Sequence, residues 1–325
     1  MRAWQMQQLG DPWQHMTQVE HEGPEPNENR VVIKVEAADL NFADILQCQG
    51  KYQVKLDPPF TPGMGAAGTV IKSTGDIPVG ARIVGPTVGH WGAFAEEAAV
   101  LTEQATLIDD HVSSTTAAAM HVAYGTAWFG LHLRGHLQPG ETVLVLAAAG
   151  GVGSAAVDLA KVHGCWVVAA ASGAKRDACL GLGADEFVDY ESEDWYDQVM
   201  TLTYGRGVDV VYDPVGGKYF DVARRLVAWE GRLLIIGFAS GNIPSAALNH
   251  TLVKNYDLVG VHMGGYRQKD GAPFKQCYEV LYDLAREDKI HPLIDRVVGG
   301  SDLPQALLDL FERRSRGRLL YDPQS

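Results

Sequence analysis

The chain has 325 residues, of which 46% are hydrophobic and 21% are charged, values typical of a globular protein with room for two domains. Its 27 basic and 40 acidic residues give a formal net charge of -13, which opposes binding to nucleic acid or to anionic membranes. The four cysteines lie far apart with no Cys-x-x-Cys pair, so neither a zinc lobe nor a disulfide framework is predicted. The N-terminal residues lack an apolar signal-like region and no uninterrupted apolar stretch is long enough to span a membrane, so a cytoplasmic protein is expected.

Residues 1–119 have the pattern of short strands joined by turns. Residues 30–37 alternate as a half-buried strand does, and prolines and glycines punctuate the segments on either side. This texture predicts a small, irregular β-barrel.

Helices and strands alternate from about residue 115 onward. Strands are predicted at 143–146, 166–171, 186–190, 208–212, 232–236 and 258–262, with helices near 124–133, 175–182, 194–203 and 218–226. The βαβ rhythm is typical of an α/β fold with a doubly wound parallel sheet.

The C-terminal part of the chain does not extend this alternation. Helix-like stretches at 274–286 and 303–313 and a strand at 318–321 are expected to return to the first domain. The predicted domains are therefore 1–119 with 266–325, and 120–265. A ligand site is expected in the cleft between them, at the carboxyl ends of the parallel strands.

A glycine turn between the first strand of the sheet and the next helix is the strongest local signal. The candidate residues are Gly150, Gly151, Val152 and Gly153. Bare backbone N–H groups at the positive end of a helix bind a pyrophosphate, and a glycine at 153 lets the helix pack closely on the strand. Ala148 stands where the dinucleotide-binding fingerprint has its first glycine, and a turn without a ligand is the alternative.

The residues after the second strand indicate which dinucleotide binds. Ser172, Lys175 and Arg176 stand where NAD-binding folds place an acidic residue for the ribose hydroxyls. A hydroxyl and two cations suit the 2′-phosphate of NADP, so NADPH is predicted in preference to NADH. The alternative is that Lys175 and Arg176 are solvated charges at a helix start.

The chain resembles the zinc-independent NADPH:quinone oxidoreductase branch of the medium-chain dehydrogenase/reductase superfamily. The resemblance rests on the order and spacing of motifs along nearly the whole chain. They include Asn41-Phe-Ala-Asp44, Gly50-Lys-Tyr52, Pro59-Phe-Thr-Pro-Gly63, Gly92-Ala-Phe-Ala-Glu96, Tyr124-Gly-Thr-Ala127, Ala147-Ala-Ala-Gly-Gly-Val-Gly153, Gly183-Ala-Asp185, Tyr212-Asp-Pro-Val-Gly-Gly217 and Gly237-Phe-Ala-Ser-Gly241. The resemblance implies a GroES-like β-barrel catalytic domain, a Rossmann domain, and a homodimer joined through edge strands, here residues 258–262.

The same resemblance implies that no metal takes part in the reaction. Zinc-dependent relatives carry a cysteine near position 44 and a His-Glu pair after the Pro-Gly turn, where this chain has Asp44, Met64 and Gly65. Without those ligands, alcohol oxidation assisted by a zinc ion is not expected.

The resemblance also implies roles for individual residues. Tyr52 is the candidate proton or hydrogen-bond donor to the substrate oxygen, and Asn41 and Asp44 line the substrate pocket as further candidate catalytic residues. Packing of the Tyr52 ring, and helix capping by Asn41 and Asp44, are the alternatives. Tyr190 is expected beside the adenosine 2′-phosphate, and Phe238 and Ser240 near the nicotinamide.

The predicted function is hydride transfer from NADPH to a quinone or to an alkene activated by a carbonyl group. An enoyl thioester reductase is the first alternative, with Arg313, Arg314 and Arg316 as the candidate cationic entrance. A non-catalytic NADPH-binding protein is the second. Three departures from the family pattern bear on this choice: Gly65 replaces a common glutamate, Ala123 replaces a common threonine, and Met120-His121 replaces a common Leu-Pro.

Overall fold

A computed structural model describes the backbone of residues 1–325 and every side chain except those of residues 267 and 268. The chain forms two compact units, Met1–Val122 with Ile294–Ser325, and Ala123–Leu293. Within the described residues, no helix has both the length and the apolar character needed to cross a bilayer.

The secondary structure consists of fifteen strands and eleven α-helices in the described chain. The strands are β1 Arg2–Met6, β2 Met16–Glu20, β3 Arg30–Asp39, β4 Gly65–Lys72, β5 Arg82–Pro86, β6 Glu97–Leu101, β7 Thr106–Leu107, β8 Thr142–Leu146, β9 Trp166–Ala171, β10 Glu186–Asp189, β11 Val208–Asp213, β12 Val227–Ile235, β13 Asp257–Gly260, β14 Ile294–Gly299 and β15 Arg318–Asp322. The helices are α1 Pro12–His15, α2 Phe42–Cys48, α3 Ser114–Trp128, α4 Gly151–Val162, α5 Arg176–Gly181, α6 Trp195–Leu202, α7 Gly217–Leu226, α8 Leu248–Lys254, α9 Met263–Lys269, α10 Ala272–Arg286 and α11 Leu303–Phe311.

The first unit is built around a seven-stranded sheet with β3 near its centre. Its order is β14-β15-β3-β4-β5-β7, and β6 also pairs with β3. β3 pairs with β4, β6 and β15, all antiparallel. Its apolar side chains Val31, Ile33 and Val35 are fully buried in a core that also holds Phe60 and Phe94. The predicted β-rich domain is confirmed.

The second unit is a six-stranded parallel sheet in the order β10-β9-β8-β11-β12-β13. The chain runs outward from β8 to β10, then returns to the other side of β8 for β11 to β13. This reversal makes the sheet doubly wound, as predicted, and it places a ligand-binding switch point beside β8. All five residues of β8 are buried, because a central strand of a parallel sheet is covered on both faces.

The return to the first unit occurs later in the chain than the predicted boundary at residue 266. Residues 266–293 belong to the compact unit that contains the parallel sheet. The ring of Phe274 on α10 lies 4.9 Å from that of Phe129. A Cβ added at Gly125 would lie 3.1 Å from the hydroxyl of Tyr278. The apolar face of α10 therefore packs against the end of α3, and β14 is the first element that returns.

Gly68 offers a test of the β3–β4 pairing. A Cβ added there would lie 2.0 Å from the backbone oxygen of Lys34, so the two strands can approach only if residue 68 lacks a side chain. We expect Gly68→Ala to lower the free energy of unfolding by about 2–4 kcal/mol, measured by urea denaturation, because backbone must move. Gly75→Ala is the control, since a Cβ there meets no atom within 4 Å. Equal unfolding midpoints for the two variants would contradict the pairing described.

Candidate active site and cofactor site

The glycine turn lies at the carboxyl end of β8, where the sequence predicts it. Gly150 precedes α4 in an extended conformation, and its N–H donates to the backbone oxygen of Ala147 at 2.7 Å. Gly151, Val152 and Gly153 form the first turn of α4. Backbone N–H groups in a first helical turn have no acceptor further back in the helix, and they carry the positive end of the helix dipole. The turn is therefore suited to hold a pyrophosphate.

Gly153 explains why the turn must be rich in glycine. A Cβ at this position would lie 2.1 Å from the backbone oxygen of Ala147. Any side chain there would push α4 away from β8 and displace the amides at its start. Gly150 is less crowded, since its Cβ would lie 3.1 Å from the same oxygen.

The next two strands bring the predicted adenosine-side residues to the same edge of the sheet. Ser172 follows β9 and begins a short 3-10 turn at 173–175, after which Arg176 begins α5. Tyr190 follows β10, and its N–H donates to the backbone oxygen of Ala171 at 3.2 Å. Its ring lies 4.4 Å from that of Tyr219. The guanidinium of Arg176 lies 5.4 Å from the centre of the Phe187 ring.

Asp189 is a residue of this neighbourhood that the sequence analysis missed. Its Oδ2 lies 2.7 Å from where a Cβ on Gly173 would stand, and its Oδ1 accepts a hydrogen bond from the N–H of Glu191 at 3.0 Å. Residues 172–176, which directly follow β9, include no carboxylate. The parallel pairing of β9 with β10 brings this one in from the adjacent strand.

Phe238 and Ser240 lie on the loop that follows β12. The N–H of Ser240 donates to the backbone oxygen of Val215 at 2.9 Å, which ties this loop to the one after β11. Phe238 is 38% exposed, and its ring lies 2.9 Å from where a Cβ on Gly216 would stand. Because parallel strands end on one side of a sheet, both residues share the edge that carries the glycine turn.

In the first unit, Asn41 and Asp44 are joined at the start of α2. The N–H of Asn41 donates to Asp44 Oδ2 at 2.7 Å, and the N–H of Met64 donates to Asp44 Oδ1 at 2.9 Å. Asp44 is fully buried, and this burial, together with the negative charge of Asp39, raises its pKa to about 7. Asp44 thus caps the helix and fixes the Pro-Gly turn, as the capping alternative predicts.

The side chain of Asn41 is held by a residue from the other end of the chain. Arg318 Nη2 donates to Asn41 Oδ1 at 2.8 Å and also to Asp39 Oδ2 at 2.8 Å. Asn41 Nδ2 donates weakly to the backbone oxygen of Asp39, at 3.4 Å. Neither Arg318 nor Asp39 was predicted from the sequence as a residue of the candidate active site. The bond from Arg318 fixes which end of the Asn41 amide accepts and which end donates.

Tyr52 lies on the loop that follows α2 and is half-buried. Its neighbours Lys51 and Gln53 are exposed. Tyr52 thus lies, partly exposed as a residue, in the same unit as Asn41 and Asp44. Cys48 is buried, and burial raises the pKa of its thiol.

The residues at the positions of the zinc ligands do not fit a metal ion. Both carboxylate oxygens of Asp44 accept backbone hydrogen bonds, and Met64 and Gly65 offer no oxygen, nitrogen or thiolate side-chain ligand. Among the described side chains, no group of three or more His, Cys, Asp or Glu residues could hold a metal ion.

Two family models match the chain. Residues 27–110 match the alcohol dehydrogenase GroES-like domain, and residues 151–280 match the zinc-binding dehydrogenase model. The first matched segment includes β3 to β7, and the second begins at the glycine turn.

Curated proteins and solved structures resemble the chain over nearly its whole length. Quinone oxidoreductase-like protein 2 of Rattus norvegicus is 38% identical over 297 residues, 89% of this chain and 84% of the relative. The mycobacterial protein Rv1454c, solved in complex with NADPH, is 28% identical with a TM-score of 0.91 over 99% of this chain and 100% of that one. The quinone oxidoreductase of Thermus thermophilus, also solved with NADPH, is 31% identical with a TM-score of 0.84 over 99% and 100%. By its motifs, its two domains and these relatives, the chain belongs to the quinone oxidoreductase branch of the medium-chain dehydrogenase/reductase superfamily.

Proposed function

We propose that the protein is an NADPH-dependent oxidoreductase that passes hydride to a quinone or to an alkene activated by a carbonyl group, without a metal ion. The observation that carries the proposal is the α4 N-terminus, where Gly150 and Gly153 let backbone amides and the helix dipole converge at the carboxyl edge of the sheet. The two NADPH complexes among the similar structures support this choice of cofactor.

The cofactor is NADPH, held by the residues on the edge of the parallel sheet. The pyrophosphate would be held by Gly150, Gly151, Val152 and Gly153. The 2′-phosphate would be held by Ser172, Lys175, Arg176 and Tyr190, and Phe238 and Ser240 would lie at the nicotinamide end. When bound, NADPH supplies a hydride from its nicotinamide ring. The protein's task is to orient the acceptor and to stabilise the negative charge that develops on its oxygen.

Asn41 and Tyr52 are the donors proposed for that oxygen. Arg318 occupies Asn41 Oδ1, so the Nδ2 end of the amide is the one that donates. The phenol of Tyr52 carries an O–H that can donate either a hydrogen bond or the proton that completes the reduction. Asp44 holds the Asn41 backbone in place, and its two backbone hydrogen bonds suit this orienting role.

An enoyl thioester reductase would want a cationic entrance for a phosphate-bearing substrate, and the structure weakens the candidate for it. Arg314 Nη1 lies 2.6 Å from a carboxylate oxygen of Asp309, and its other nitrogen pairs with Glu312. Asp309 also pairs with Arg296. Because acidic partners hold Arg314, one of the three candidate arginines, we favour a small, uncharged acceptor.

We further propose a homodimer formed through the edge of the parallel sheet. β13 is the edge strand, and three apolar side chains of the adjacent α8 are at least 74% exposed, those of Leu248, Leu252 and Val253. Ile243, on the preceding loop, is 76% exposed. Exposed apolar side chains on a helix that directly precedes an edge strand are suited to a second copy of the chain. The cytoplasmic location and the absence of nucleic-acid partners stay predictions.

The function is tested by NADPH consumption with a simple quinone, an α,β-unsaturated ketone and a short enoyl thioester. We expect turnover with the quinone or the ketone. Tyr52→Phe should lower kcat for the ketone by about 100-fold, the usual worth of a positioned proton donor. Tyr204→Phe is the control, since Tyr204 is 98% exposed. Tight NADPH binding without turnover of any acceptor would favour a non-catalytic binding protein.

The cofactor preference depends on the charge beside Ser172. We expect Lys175→Ala to raise the KM for NADPH about tenfold or more, the worth of one charge-assisted hydrogen bond, and to leave the KM for NADH nearly unchanged. Asp189→Asn should lower the KM for NADPH, because it removes a negative charge from the same neighbourhood. Lys275→Ala, on an 81% exposed side chain, is the control. A wild-type preference for NADH would contradict the assignment.

The dimer is tested by sedimentation velocity. Leu252→Asp places a charge in the exposed apolar cluster and should yield a monomer with the far-UV spectrum of the wild type. Val79→Asp, at a 63% exposed apolar side chain of the first unit, should leave the dimer intact. A monomeric wild-type protein at micromolar concentration would refute the proposal.

A further inference from the structure

The side chain of Asp39 lies beside the Pro-Gly turn, next to Gly65, which has no side chain of its own. A Cβ added at Gly65 would lie 3.1 Å from Asp39 Oδ1 and 3.0 Å from His121 Cδ2. Gly65 is the position at which the family commonly has glutamate, and His121 belongs to a second departure noted in the sequence. The structure thus brings two departures together, and a carboxylate from β3 lies beside Gly65.

The extended geometry of the chain places the side chains of Asp39 and Asn41 on the same face. Alternate residues of an extended chain share a face, so Asp39 and Asn41 point one way and Leu40 points the other, into the apolar core. Asn41 keeps extended backbone angles, φ -120° and ψ 149°. The last residue of β3 and the residue that caps α2 therefore place a carboxylate and then an amide on one face of the extended chain.

The register of β15 brings Arg318 to that face. β15 pairs antiparallel with β3, with Leu320 opposite Asp39, and continuing this register places Arg318 opposite Asn41. Its Nη2 donates to Asp39 Oδ2 and to Asn41 Oδ1, both at 2.8 Å. Arg318 is 5% exposed and Asp39 is fully buried, so water does not screen the pair.

Without Asp39, the Arg318 cation would face a large cost of burial and its hold on Asn41 would loosen. Asp44, the other nearby carboxylate, already accepts two backbone N–H groups. Asp39 Oδ1, the oxygen nearest Gly65, has no hydrogen-bond partner among the described residues. Burial raises the pKa of Asp39 while the charge of Arg318 opposes the rise, so Arg318 favours the ionised carboxylate at this position.

We propose that Asp39 is a positioning residue: it holds Arg318, through Arg318 it fixes the amide of Asn41, and it supplies from β3 the carboxylate that the turn lacks at Gly65. The expected effect of Asp39 on kcat rests on the reductase function proposed above. The carboxylate of Asp39 then compensates for the replacement at Gly65, which is not a sign of a decayed enzyme.

Moving the carboxylate from position 39 on β3 to position 65 in the Pro-Gly turn tests the proposal. Asp39→Gly should lower kcat for the acceptor about 10- to 100-fold, the cost of a donor misplaced by a fraction of an ångström, with the KM for NADPH within about twofold. Gly65→Glu alone should lower both Tm and kcat, because its new carboxylate is forced against that of Asp39. In Asp39→Gly/Gly65→Glu the contact with the Asp39 carboxylate is removed and only the contact with the His121 ring remains, so the longer glutamate side chain can reach the space that Asp39 leaves. We expect kcat to recover at least tenfold over Asp39→Gly.

A second cycle separates positioning from simple stabilisation. If Asp39 acts through Asn41, adding Asp39→Gly to Asn41→Ala should change kcat less than twofold, whereas two independent effects multiply. Asp39→Asn, which keeps the side-chain volume, covers the case in which Asp39→Gly fails to fold. Its kcat should fall while its NADPH dissociation constant, measured by fluorescence, stays within about twofold of the wild-type value.

The outcomes that overturn the proposal differ from failure of the reductase function. Unchanged kcat in Asp39→Asn and Asp39→Gly, multiplicative effects with Asn41→Ala, or a double variant no better than either single one would refute it. If the wild type reduces no acceptor, the proposed reductase function is wrong. The carboxylate exchange can then still be tested by measuring the Tm of the three variants. Recovery of Tm in the double variant would then support the shared place of the two carboxylates, and no recovery would overturn it.

Discussion

The buried guanidinium of Arg318 is the constraint on which the candidate catalytic unit depends. A cation that is 5% exposed must be paired, and its partners Asp39 and Asn41 lie near the other end of the chain. The same contacts hold β15 on β3, which completes the first unit with the last residues of the sequence. One interaction thus serves both the closure of the fold and the orientation of a candidate substrate-binding amide.

In the second unit the corresponding constraint is steric. The close approach of Gly153 to the Ala147 oxygen sets α4 directly against the end of β8. Parallel pairing then brings Ser172, Tyr190 and Phe238 to the edge where α4 begins. Each of these residues follows a different strand, so the proposed cofactor site depends on the alignment of the strand ends by the sheet. The fold creates this edge, and the residues on it decide which nucleotide it suits.

The sequence predicted best those elements whose signals are local. β9 was predicted at residues 166–171 and occurs there, because a strand covered on both faces is an uninterrupted apolar run bounded by turns. β14 was missed because charged residues interrupt its apolar pattern, and α8 was missed because three of its apolar residues face outward. The glycine turn was found from its glycines together with the apolar strand before it and the helix after it.

The contacts that depend on strand register could not be read from the sequence. Asp39 and Arg318 are 279 residues apart, and only the β3–β15 pairing brings them together. Asp189 reaches Gly173 for the same reason, through the pairing of β9 with β10. In both cases the type of residue was visible and its partner was not. The departure at Gly65, which the sequence presented as a lost carboxylate, is explained only by the neighbour that the structure places beside it.

We propose that this protein transfers hydride without a metal ion, and the transfer of a deuterium label is a direct test. The chelator-treated protein would be given NADPH deuterated at the reactive nicotinamide carbon together with an α,β-unsaturated ketone, and the product analysed by mass spectrometry. We expect one deuterium at the β-carbon of the saturated ketone. Neither chelation nor added zinc should change the rate of its formation. A product without deuterium, or activity that appears only with zinc, would contradict it.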